Sequence, residues 1–85
     1  MIRSERIHQT LSKAFAPTAL EVVDDSHKHA GHAGASPEGE THYTVIIQSA
    51  DFEGLSRVAM QRAIMDALKD EFASGLHALS IKARS

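Results

Sequence analysis

Thr41-His42-Tyr43-Thr44-Val45-Ile46-Ile47-Gln48-Ser49 decides the fold of this chain. Side chains along a strand alternate between two faces, so Tyr43, Val45 and Ile47 point one way while His42, Thr44 and Gln48 point mostly the other. A strand with one apolar face needs a second layer to cover that face. Working outward, Thr18 to Asp24 with Leu20, Val22 and Val23 is a second β-branched strand, and the spacing predicts an antiparallel pairing of the two. Between them lies a long loop, Asp25 to Gly39, with Pro37 and three glycines. Upstream, Ile7, Leu11, Ala14 and Phe15 recur at i, i+4, i+7 and i+8, predicting a helix from about Ser4 to Phe15 that Pro17 ends.

Downstream, Asp51 to Ser56 reads as a turn, with Ser56 the N-cap of a helix reaching about Ala73. Its apolar stripe is Val58, Met65, Leu68 and Phe72, and Gln61 within that stripe predicts a break or kink. Ser74-Gly75 closes the helix. Leu76 to Arg84 is a last strand in which His77, Leu79, Ile81 and Ala83 share a face. The result is an α+β sandwich, a single domain over residues 1–85 with helices on one face of a three-stranded sheet.

A chain of 85 residues buries only a modest core, and it contains no cysteine to staple it. The net charge of -2, with both signs interspersed, lacks the basic footprint of an autonomous nucleic-acid binder. Met1-Ile2-Arg3-Ser4-Glu5-Arg6 has no apolar block of a secretory signal behind it, and the longest apolar run, Val45-Ile46-Ile47, is far too short to span a bilayer. A soluble, cytoplasmic protein without membrane association is expected.

Three of the six histidines, His27, His29 and His32, fall at i, i+2 and i+5 in the stretch Asp24 to Gly34. Neutral imidazole is the commonest ligand for borderline metals, and without cysteine it is the only soft ligand of consequence here. The spacing fits metal or cluster ligation and a solvated polar loop alike. His77, at a strand entry, reads either as a core-edge residue bonded to a backbone carbonyl or as a ligand. His42 packs or hydrogen-bonds near the base of the loop, and His8 is solvated. Adjacent Asp24 and Asp25 point in different directions, which suits a turn better than paired acid-base chemistry. No nucleophile, phosphate loop or cofactor fingerprint is present, so a non-enzyme is expected.

Leu20-Glu21-Val22, Asp24-Asp25-Ser26-His27, His29-Ala30-Gly31-His32, Gly39-Glu40-Thr41-His42-Tyr43, Phe52-Glu53-Gly54, Ser56-Arg57, Arg62 and Gly75-Leu76-His77-Ala78-Leu79-Ser80-Ile81 together resemble the BolA-like family, over about Leu11 to Ala83. The resemblance implies the order αββααβ, similar to class II KH domains. It implies an adaptor that pairs with a monothiol glutaredoxin around a bridging 2Fe-2S cluster, with glutaredoxin and glutathione supplying thiolates. His77 matches the family's strand ligand. His29 is the best match for a second ligand from the loop, with His32 as the alternative. No cofactor is expected in the isolated chain, which would be a monomer or weak homodimer. Met60-Gln61-Arg62 stands where the family commonly has Arg-His-Arg, which puts a role for that basic face in doubt. The competing expectation is a transcriptional regulator that binds nucleic acid weakly. Its candidate basic face is Arg57, Arg62, Lys69, Lys82 and Arg84, but Gly31-His32-Ala33-Gly34 lies between strands, where it cannot act as the KH clamp.

Overall fold

Helix α1 (Arg3–Phe15) buries Ile7 and Leu11 completely and ends where Ala16 turns left-handed and donates its N–H to the Ser12 carbonyl. The computed structural model describes residues 2–25 and 42–85. Ala14, expected on the buried stripe, is exposed. Its methyl is too short to reach the layer that the neighbouring Phe15 ring reaches, 5.0 Å from the Phe52 ring.

Strands β1 (Ala19–Asp24) and β2 (His42–Gln48) pair antiparallel as expected, with Leu20 opposite Ile47 and Asp24 opposite Tyr43. Strand β3 (Ala78–Arg84) pairs parallel with β2, so β2 is the centre of the sheet. Tyr43, Val45 and Ile47 are buried beneath the helices, while Ile46 on the other face is 40% exposed. Ser49, fully buried, joins layers that are distant in sequence. Its hydroxyl donates to the Phe15 carbonyl at 2.6 Å and accepts from the Asp51 amide at 3.1 Å. The turn expected from Asp51 begins as a 3-10 turn over Ala50–Phe52, which drives Phe52 into the core.

Ser56 caps helix α2 (Arg57–Ala67), accepting from the Ala59 amide, and α3 (Lys69–Ala73) follows after a break at Leu68. The expected break exists but lies seven residues beyond Gln61. That displacement explains why Val58 and Met65 are 55% and 44% exposed rather than buried. The expected stripe runs across the break to Leu68 and Phe72, whereas the inward face of α2 is Met60, Ile64 and Ala67. Leu76 and His77 also fall outside β3. The Leu76 amide is spent on the Glu71 carbonyl at 2.9 Å, a Schellman closure with Gly75 at positive φ, and the Leu76 side chain joins the core. The observed order is αββααβ, with the helices on one face of a three-stranded sheet. Among the described residues no helix is long and apolar enough to cross a membrane.

Candidate functional site

Parallel pairing sets His42 opposite Ala78, and so brings the residue before Ala78 to the same end of the sheet. The rings of His42 and His77 lie 5.2 Å apart, centre to centre, inclined at 54°. His42 is half-buried and His77 exposed, so His77 is open to solvent with the His42 ring beside it. The base of this end is tied down twice. The Asp25 amide donates to the His42 carbonyl at 2.8 Å, and the Thr44 hydroxyl donates to the Asp25 carboxylate. Asp25 thus anchors β2 through Thr44, a contact across the strands rather than the turn role expected of it.

A second fixture holds the approach to His77 from the helical layer. The guanidinium of Arg3, a buried residue, donates to the Glu71 carbonyl at 2.8 Å, to the Glu71 carboxylate at 3.1 Å, and to the Ser74 hydroxyl and carbonyl at 2.9 and 3.1 Å. Arg6 grips the same carboxylate through Nε and Nη2, each at 3.0 Å. The hydrogen bond from Arg6, aided by the charges of Arg6 and Arg3, holds the Glu71 carboxyl below its ordinary 4.5 against the desolvation that opposes it. The start of α1 is thus bolted to the end of α3. Gly75, at φ +128, passes so close that a Cβ there would meet Arg3 Nη2 at 3.2 Å. With Leu76 buried below and β3 pairing above, the backbone that carries His77 is fixed on three sides.

Of the expected ligands, His77 is placed in an exposed, supported position, whereas His29 and His32 lie outside the described residues, as does His27. The described chain stops at Asp25, just past the end of β1, and resumes at His42, the first residue of β2. Among the described residues no group of three or more His, Cys, Asp or Glu side chains could hold a metal ion. His42 as the neighbour of His77 was not foreseen. Only the parallel register of β2 and β3 brings the two together, and two strands separated by the helical layer give no sequence signal of register.

The expected basic face divides. Arg57, Lys82 and Arg84 line a groove of about 610 Å³ with Gln48 and Gln61, while Arg62 lines a separate depression with Ala63, Met65 and Asp66.

Residues 11–85 match the family model described as BolA-like protein. The chain belongs to the BolA-like family. It is 48% identical over 83 residues to an uncharacterized protein in the cobS 5' region of Sinorhizobium sp., covering 96% of this chain and 89% of that protein. It is 40% identical to the DNA-binding transcriptional regulator BolA of Escherichia coli, over 95% of this chain and 72% of that one. Among solved structures, the BolA domain of SufE1 from Arabidopsis thaliana superposes with a TM-score of 0.87 at 49% identity, covering 96% of this chain and 90% of that domain. The chain spans 24% of that organism's SufE-like protein 1.

Proposed function

We propose that this BolA-like domain is a cytoplasmic, non-enzymatic adaptor that docks on a monothiol glutaredoxin and contributes histidines to a shared 2Fe-2S cluster, for iron–sulfur trafficking or for iron or redox sensing. The observation that carries the reading is His77, exposed at the sheet end, flanked by His42 and anchored through Leu76 and the Arg3–Glu71–Ser74 bonds. A ligand that must meet a partner's thiolates needs an accessible imidazole on backbone that does not shift, and His77 meets both needs. His29, with His32 as the alternative, is the proposed second ligand, from the connection between β1 and β2. When bound, the cluster supplies one-electron chemistry, and imidazole in place of thiolate reduces its negative charge and raises its potential. His42 acts as a positioning residue that limits the swing of the His77 ring.

The test is reconstitution with ferrous iron, sulfide and glutathione, with and without a monothiol glutaredoxin, followed by visible absorption. A stable chromophore that requires both proteins and decays faster with His77→Ala is expected. A chromophore identical without this chain sinks the reading.

A second reading, nucleic-acid binding, is favoured by the E. coli relative's name and by the cations Arg57, Lys82 and Arg84 in one groove. Binding to a short duplex that falls steeply with salt and is indifferent to glutaredoxin would select it.

A further inference from the structure

We infer that the outer edge of β3 is a strand-addition site for an extended peptide that alternates acidic and apolar side chains. Among the described residues β3 is a terminal strand of the sheet, hydrogen-bonded to β2 alone. Within a strand the N–H and C=O of one residue point to the same side, and the side alternates from residue to residue. The Arg84 carbonyl accepts from the Ser49 amide at 3.0 Å, which turns Arg84, Lys82 and Ser80 toward β2. Leu79, Ile81 and Ala83 consequently direct their N–H and C=O groups outward, where no described strand pairs with them.

That edge borders the groove already described, which also extends over Ala19 of β1 and Ile46 and Gln48 of β2. Ile81 and Ala83 line it together with Arg57 and Gln61 of α2, and Lys82 and Arg84 line it from the open face. No acidic residue lines the groove, and among the described residues none of its three cations makes an ion pair. An added strand would place alternate side chains beside Lys82 and Arg84 on one face, and the intervening ones beside Ile81 and Ala83 under α2 on the other. Acidic residues suit the first row and apolar residues the second. The outward carbonyls need N–H donors, which a peptide backbone offers at matching spacing and a phosphodiester backbone does not. A second copy joined edge to edge would crowd the cations of both copies together. The inference is independent of the histidine site.

The probe is an end-capped Val-Glu-Val-Glu-Val-Glu-Val peptide, matched to the seven residues of β3, titrated into the isotope-labelled chain and followed by amide shifts and exchange. Slowed exchange at Leu79, Ile81 and Ala83 is expected. The double variant Lys82→Glu/Arg84→Glu should weaken binding about tenfold and transfer preference to the Val-Lys counterpart. Ala83→Pro removes one outward N–H and leaves the inward ladder intact, so it should weaken the peptide while circular dichroism stays native. Shifts without protection of those amides, equal binding of the Val-Lys peptide by the unaltered chain, or single-stranded DNA that binds the groove while the acidic peptide does not, would each overturn the inference.

Discussion

Replacing Glu71 by glutamine removes one charge at the joint between α1 and α3 and leaves its shape. The carboxylate side chain is 11% exposed and that of Arg3 10%, so the pair is largely cut off from water. Deleting one partner of a buried pair costs about 3–5 kcal/mol because the other charge is left uncompensated. Here the loss is smaller, since Arg3 keeps the Glu71 and Ser74 carbonyls and the Ser74 hydroxyl, and the amide oxygen still accepts one bond. The Arg6 side chain is 40% exposed, so its pair is screened and adds about 1 kcal/mol or less. The net is about 2 kcal/mol for Glu71→Gln. For 85 residues that lowers the Tm by about 10 °C. Because Glu71 titrates below 4.5 in the folded chain, its contribution is fully present above the unfolded value and is lost as pH falls through the folded one. Calorimetry of both proteins should therefore show a wide Tm gap at neutral pH that narrows on acidification below about 4.5. The His77 approach should loosen too, with faster amide exchange from Gly75 to Ala78. Equal Tm values at neutral pH, or a gap unchanged down to about pH 3, would refute the joint as described.

His77→Ala should alter stability by no more than about 0.5 kcal/mol, as befits an exposed side chain, while shortening cluster lifetime in the glutaredoxin complex far more than His8→Ala, read from visible absorption decay. His29→Ala should shorten that lifetime only partly and the double variant His29→Ala/His32→Ala much more, because two residues that compete for one coordination position behave non-additively; a double variant no worse than the single one removes His32 from the reading. Ile64→Ala, at a fully buried position facing the sheet, should cost about 2–5 kcal/mol in urea unfolding. A loss no larger than that of Val58→Ala, on the exposed face of the same helix, would contradict the assigned phase.

Helix α1 and strand β2 were legible because each repeats an apolar period long enough to outvote local noise: Ile7 and Leu11 at four residues, Tyr43, Val45 and Ile47 at two. Ser56 announced α2 through capping chemistry. The phase of α2 was not legible, since Leu68 sits at the break itself, where the register resets, and a stripe drawn through it does not carry into α2. Phe52 hid in a turn whose neighbours are polar. At the site, His77 stood out through its family setting, while its contact with His42 depends on a parallel pairing between strands 35 residues apart, His42 to His77. The Arg3–Glu71 joint was invisible for the same reason. Opposite charges are common, and nothing local says that these two meet across 68 residues.

The most direct measurement is pulsed electron paramagnetic resonance of the reduced cluster in the glutaredoxin complex, with this chain alone carrying 15N-histidine. Nitrogen-15 couplings of directly bound imidazole are predicted, diminished by His77→Ala and unchanged by His8→Ala. A cluster that shows no coupling to the labelled chain, or the same couplings after His77→Ala, would contradict the assignment of His77 as a ligand.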